Sequence, residues 1–342
     1  MINLKKHIIA VVSAVLFILC VFTSCNKTEK AESEENTVKE SSKVVTVTSS
    51  FLKDMVYQLA GDLCTIELII PVGTDPHMYV AQPADLKKLE KADLVLYQGL
   101  LFEGKMHDVL EKTGLAVTRV LDEGMLIHND EEHEHNEEHE CECGEEHGHG
   151  EHHHGHVHGE IDPHFWFDIG LYKEVVKGVS EDLIKLMPEN AELIKTREVS
   201  YQSELDELQA RCAEAMNSIP KEKRFLVTPH DAFSYFGRNY DIEVVAPLGI
   251  STDSEVGAKD IEDTVNFIVD NKIPAIFVES TTNPDRMAKL QEAAKAKGWD
   301  VKVVGGEGQE LFTGSLAPEG QDADTYIKMY WHNVKLLTEN LK

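Results

Sequence analysis

The sequence predicts an α/β protein of two similar lobes, each a four-stranded parallel sheet flanked by helices, joined by one long rigid helix. Three observations predict it. Short β-branched runs alternate with segments of helical spacing from Val44 to Leu121, the same alternation restarts beyond Pro220, and the stretch between Glu189 and about Ser218 keeps helical spacing without a break. Such alternation places helical crossovers between parallel strands. The chain has 342 residues, 42% of them hydrophobic, enough for buried cores in about two domains at roughly 100 to 200 residues each.

At the N-terminus, Lys5 and Lys6 precede an apolar run from Ile8 to Phe22, the charge-then-hydrophobe order of a secretory signal. The run is shorter than the about 20 residues a membrane-spanning helix needs. Its end, Phe22-Thr23-Ser24-Cys25, resembles a lipobox, in which small residues precede a Cys that is diacylated and becomes the mature N-terminus. Phe22 stands where such motifs usually carry Leu, Cys20 lacks the small residues before it, and an uncleaved anchor is the alternative to lipidation at Cys25. Residues 25–43 are Glu, Ser, Lys and Thr with almost no large apolar side chain, too little to offset ordering entropy, so they read as a tether.

The first lobe spans 44–170. It opens with the strand Val44 to Thr48, followed by a helix through Phe51, Met55, Val56 and Leu59. Strands follow at Ile66 to Ile70, Asp93 to Tyr97 and Ala116 to Leu121, with helices at Pro83 to Lys91 and Glu103 to Lys112. Linking helices occupy 171–219. The first runs from Leu171 to Leu186, and the second places Tyr201, Leu205, Leu208, Cys212, Ala215 and Ile219 on one face, roughly 45 Å of spine at about 1.5 Å per residue. The second lobe, 220–342, has strands at Phe225 to Thr228, Ile242 to Ala246, Ala275 to Glu279 and Val301 to Val304. Its helices fall near Asp231 to Asn239, Lys259 to Asn271, Pro284 to Lys297 and Asp324 to Leu341.

Charge narrows the function. Lys plus Arg is 33 against 61 Asp plus Glu, a formal net charge of −28, and loss of residues 1–24 would make it −30. Nucleic acid is thereby excluded as a natural partner, and metal cations are favoured. Residues 129–160 hold 12 acids, ten His and two Cys but no Lys or Arg, a solvated, disordered insertion in an otherwise regular lobe. Close spacing makes His133, His135, His147, His149, His152, His153, His154, His156 and His158 candidates for weak, multiple metal binding, with Cys141 and Cys143 as further donors unless oxidised. The alternative is a charge run that is only a solvated face. Whether Cys64 and Cys212 pair is left open by their positions.

Ligands of parallel α/β sheets bind beyond the carboxyl ends of the strands. His77, in the Gly/Pro-rich loop after Ile70, and His230, directly after Phe225 to Pro229, both lie there; His164 opens the helical spine in a second Asp-Pro-His. In Asp75-Pro76-His77 and Asp162-Pro163-His164 the Pro fixes one backbone angle and the Asp is placed to accept the ring N–H that a metal leaves unused. Three neutral imidazoles would make a nitrogen-rich site that favours zinc, whereas oxygen-rich sites lean towards manganese. His107, His128 and His332 receive no role.

Four ordered motifs carry a family resemblance: Val72-Gly73-Thr74-Asp75-Pro76-His77-Met78-Tyr79 with Pro83-Ala84-Asp85, Asp162-Pro163-His164-Phe165-Trp166-Phe167-Asp168, Val227-Thr228-Pro229-His230-Asp231-Ala232-Phe233, and Ile276-Phe277-Val278-Glu279-Ser280. They resemble the zinc/manganese substrate-binding lipoproteins of ABC importers, from about Val44 to the C-terminus. The resemblance implies two lobes with a metal between them, His77, His164 and His230 as ligands, and a His/acid-rich insertion in zinc-type members. Many members offer an acidic fourth ligand where this chain reads Phe312-Thr313-Gly314-Ser315, and Gly314 has no side chain. Water, Glu279 or an insertion residue are the remaining candidates, with Glu279 equally suited to support a ligand from behind.

The expected function is therefore an extracytoplasmic, lipid-anchored and monomeric receptor that captures Zn²⁺ for an ABC importer permease, with Mn²⁺ as the alternative cargo. A zinc hydrolase is the rival from another class, because an open fourth position is what metal-activated water needs. No His-Glu-X-X-His helix or Gly-X-Ser-X-Gly elbow supports it. An extracellular zinc buffer or adhesin is the third reading, for which the insertion would suffice.

Overall fold

The computed structural model describes residues 42–129, 160–253 and 256–342. The leader, Cys25 and the tether up to residue 41 lie outside the described residues, as do the histidines of 130–159. Among the described residues no helix is long and apolar enough to cross a membrane.

The first lobe is one parallel sheet. Its central strand β1 (Val44–Val47) pairs with β2 (Thr65–Leu68) on one side and β3 (Leu94–Tyr97) on the other, and β4 (Leu115–Ala116) completes the order β2-β1-β3-β4. β1 is nearly all buried, which is why its Val-Val-Thr-Val run shows no polar alternation. Between β1 and β2, α1 (Ser50–Ala60) starts at Ser49, whose Oγ accepts the Leu52 N–H at 3.3 Å. α2 (Pro83–Lys91) opens on a proline, and the Asp85 carboxylate accepts the Gln82 N–H at 2.8 Å.

Two first-lobe expectations change. The strand expected over Ala116 to Leu121 pairs only at Leu115–Ala116, after which Val117–Val120 turns as a 3₁₀ helix. Thr118 donates its hydroxyl to the Gln98 carbonyl at 2.9 Å, and Val120 packs so tightly on Gly178 that a Cβ there would lie 2.8 Å from it. Tertiary packing thus overrides the β preference of the valines. The helix expected from Glu103 is split into a 3₁₀ turn, Gly104–Met106, and α3 (His107–Thr113), while Glu103 is buried at the carboxyl ends of β1 and β3. At the base of the insertion, β5 (His128–Asn129) pairs antiparallel with β6 (Glu160–Ile161), so Asn129 and Glu160 belong to a ladder and not to the low-complexity run.

α4 (Ile169–Leu186) and α5 (Ala191–Asn217) link the lobes, and the 27 residues of α5 span about 40 Å. α5 buries Ile194, Glu198, Tyr201, Leu205, Leu208, Cys212 and Met216, a helical stripe. Ala215 is only half-buried, and Glu198, unexpected on that face, takes Lys195 on both oxygens at 2.9 and 2.8 Å. One apolar cluster runs from Val45 and Leu96 through Trp166 and Leu205 to Phe236 and Leu337, joining both lobes. Cys64 and Cys212 are buried and unpaired, burial pushing their thiols up to about 11 and about 12.

The second lobe places its strands where the periodicity does, β7 (Phe225–Val227), β8 (Glu243–Val245), β9 (Ala275–Phe277) and β10 (Lys302–Val304). They bond as two parallel pairs, β7 with β8 and β9 with β10, instead of one continuous ladder. After the Thr228 N–H, which donates to the Val245 carbonyl at 3.2 Å, the next donor the first pair needs falls at Pro247, which has none. Val227, Ile276 and Val278 still share one apolar cluster, so side chains join what backbone bonds do not. The helices are α6 (Ser234–Tyr240), α7 (Ala258–Asp270), α8 (Asp285–Ala296) and α9 (Tyr326–Asn340), and the Tyr326 N–H donates to Asp54 of the first lobe at 2.8 Å.

Candidate metal centre

Three chain segments converge where the lobes meet. His77 comes from the loop after β2, His164 from the turn between β6 and α4, and His230 from the segment after β7. One nitrogen of each lies within 4.8 Å of the others, and the residues are 4%, 0% and 1% exposed. His77 Nε2 and His164 Nε2 approach to 3.4 Å, with ring centroids 5.4 Å apart. The His230 ring lies 6.0 Å from that of His77 and 5.4 Å from that of His164, and its Nε2 is buried with no partner.

The two Asp-Pro-His copies work differently. Asp162 Oδ1 accepts both the backbone N–H of His164, at 2.9 Å, and its ring Nδ1–H, at 2.8 Å, which leaves Nε2 as the lone pair. Asp75 instead accepts the His77 backbone N–H at 3.0 Å and the Thr252 hydroxyl of the other lobe at 2.6 Å. The His77 ring is packed by the edge of Phe102, centroids 5.2 Å apart at 80°. Sequence repetition implied the same ring support in both places; Thr252 claims the first carboxylate.

Glu279 is buried at the end of β9. Its Oε2 holds His230 Nδ1 and accepts the Thr313 hydroxyl at 3.3 Å, while Oε1 has no partner. Through Oε2 the carboxylate stands behind the His230 ring and presents its Nε2 to the centre. Burial pushes His77 and His164 well below the ordinary imidazole value, reinforced by the charges of neighbouring histidines. Burial also pulls His230 down, but the Glu279 charge and hydrogen bond outweigh it and the net shift is upward. Asp162 is pushed up to about 7 by the same desolvation.

Gly314 sits against the first lobe. A Cβ at this position would lie 2.9 Å from Pro76 Cδ and 3.5 Å from Thr281 Oγ1. Next to it Ser315 Oγ accepts the Gly73 N–H at 2.8 Å and lies 3.3 Å from Ser50 Oγ, which in turn accepts the Leu316 N–H at 2.9 Å. Gly314→Asp must displace Pro76 to reach the metal, and is expected to raise Mn²⁺ affinity by about an order of magnitude over Gly314→Ala, since only Asp adds a hard oxygen donor. Competition titrations of the two variants read this out. Equal Mn²⁺ affinity in both would show that residue 314 does not face the site.

Sequence reasoning missed Phe102, whose buried ring touches His77, His164 and Trp166. The signal was the pair of glycines, Gly99 and Gly104, flanking it between the strand ending at Tyr97 and the helix expected from Glu103. His332 Nε2 donates to the Glu310 carbonyl at 2.9 Å, and His128 lies in β5; neither belongs to the convergent group.

The chain is similar to known metal-binding proteins. Residues 45–340 match the model of the family described as zinc-uptake complex component A, periplasmic. The manganese-binding lipoprotein MntA of Bacillus subtilis is 32% identical over 335 residues, 96% of this chain and 98% of that protein. The zinc-binding protein TroA of Treponema pallidum is 34% identical over 304 residues, 87% of this chain and 88% of that one. A solved TroA structure, studied for its metal-binding specificity, superposes with a TM-score of 0.80 at 54% identity and covers 88% of this chain and all of its own.

Proposed function

The chain belongs to the zinc-uptake complex component A family, and on that premise we propose that it is the extracytoplasmic binding protein of a metal ABC importer. In this reading it holds Zn²⁺ between its lobes on His77, His164 and His230 and passes it to a membrane permease, with Cys25 as its lipid anchor and no catalytic role. The observation that carries the proposal is the convergence of three buried imidazoles, two of them with the second ring nitrogen held by a carboxylate. That arrangement preselects the metal-binding tautomer. Three nitrogens and no side chain at Gly314 favour Zn²⁺ over Mn²⁺. Manganese remains the alternative cargo, because the relatives bind one or the other by name. Burial of all three rings leaves little room for an organic substrate, which supports sequestration over metal-assisted hydrolysis.

The insertion then serves as a collecting arm. Its carboxylates repel one another until cations arrive, so we expect its sites to be weaker than the cleft. Deleting 130–159, which spares the β5–β6 ladder, should remove the weaker equivalents and leave one tight Zn²⁺ that Mn²⁺ does not displace at equal concentration. Calorimetry on the two proteins tests this. Disappearance of the tight equivalent would assign a ligand to the insertion, and preference for Mn²⁺ would end the zinc reading.

A further inference from the structure

We infer that Glu103 is a positioning residue for the bound metal, locking a left-handed turn whose Phe102 forms the wall against His77 and His164. The inference rests on the proposed three-histidine centre. After β3 the backbone takes φ of +92° at Gly99, +54° at Leu100 and +62° at Leu101, and +21° at Gly104. Two successive leucines in the left-handed region are disfavoured and persist only where the surroundings over-determine them. Leu101 is 48% exposed, so packing of its side chain does not compensate.

Glu103 supplies the constraint. It is 2% exposed, and its Oε1 accepts the Thr48 hydroxyl at 2.6 Å and the Gln98 N–H at 2.7 Å, while Oε2 accepts the Gly99 N–H at 3.3 Å. One carboxylate thus ties the end of β1 to the end of β3. Burial disfavours its charged form, and the three donors act in the opposite sense. Fixed in this way, Phe102 lies edge-on to His77 and to His164, centroids 5.2 and 6.1 Å away, and 4.9 Å from Trp166. Gly104 closes the floor: a Cβ there would lie 2.5 Å from the His77 carbonyl oxygen. His77, whose ring receives no carboxylate from Asp75, depends on this wall most.

The test uses the full chain, with chelator competition reading the tight Zn²⁺ equivalent. Glu103→Gln sets an amide N–H₂ or a lone acceptor against donors that need two oxygens. It should weaken the tight site about 10- to 100-fold, the range seen when an outer partner of a metal ligand is lost. Adding Leu101→Gly, which removes the cost of the positive φ, should recover most of that loss. Parental affinity in Glu103→Gln would overturn the inference, as would a loss that Leu101→Gly leaves untouched. Were Glu103→Gln not to fold, Thr48→Val carries the test, with several-fold weakening expected and parental affinity overturning it. A parent without any tight equivalent sensitive to His164→Ala would instead end the three-histidine reading itself.

Discussion

His164→Ala is expected to lower the affinity of the tight Zn²⁺ site by at least about 100-fold, since loss of even an outer partner of a metal ligand costs 10- to 100-fold. The residue is fully buried and its ring is held by Asp162, so little ordering remains to be done when metal arrives. Truncation removes a donor and leaves the raised Asp162 carboxylate without its ring partner. His77→Ala should weaken binding by a smaller factor, at least about 10-fold, because that ring has only aromatic packing behind it. Chelator competition on protein lacking 130–159 measures both. Unchanged affinity in His164→Ala would remove that residue from the centre.

The second large effect is the response to acid. Metal needs the neutral imidazole lone pair. His77 and His164, pushed down by burial, stay neutral well below the ordinary value of 6.5. His230, raised by Glu279 against the pull of burial, takes a proton first. Zn²⁺ affinity should therefore fall by about 10-fold per pH unit for the His230 proton, and by at most about 100-fold per unit where Asp162, pushed up to about 7, takes one too, whereas three titrating ligands would give about 1,000-fold. Glu279→Gln should flatten that slope while costing 10- to 100-fold at neutral pH. A slope near three protons would mean the rings are not desolvated as described.

Stability of the metal-free fold moves in two directions for the same reasons. For His77 and His164 the unfolded chain binds protons that the fold rejects, so stability is lost as pH falls below about 6.5. For His230 the fold binds the proton more tightly, so its contribution is present below about 6.5 and is lost as pH rises through the raised value. Unfolding midpoints of parent and Glu279→Gln across this window separate the two.

Much of the architecture was legible because periodicity is a local property. Alternating runs mark β1 to β3 and the helices between them, and the unbroken spacing from Ile194 to Met216 marks the spine. His77 and His230 could be singled out because residues just past parallel strands face the ligand side of any such fold, and His164 because it repeats the Asp-Pro-His of His77. The errors came where a distant partner outbid local preference, as at Val120, turned out of β4 by Gly178.

By itself, then, the sequence determined the two-lobed α/β plan, the spine and the placing of three histidines on segments that meet. Only the tertiary structure decided what each carboxylate does. Asp75 answers to Thr252, 177 residues away; Glu279 answers to His230, 49 away; and Glu103 answers to Thr48, 55 away. A buried carboxylate must find donors wherever packing supplies them, and no spacing along the chain encodes which donor that is.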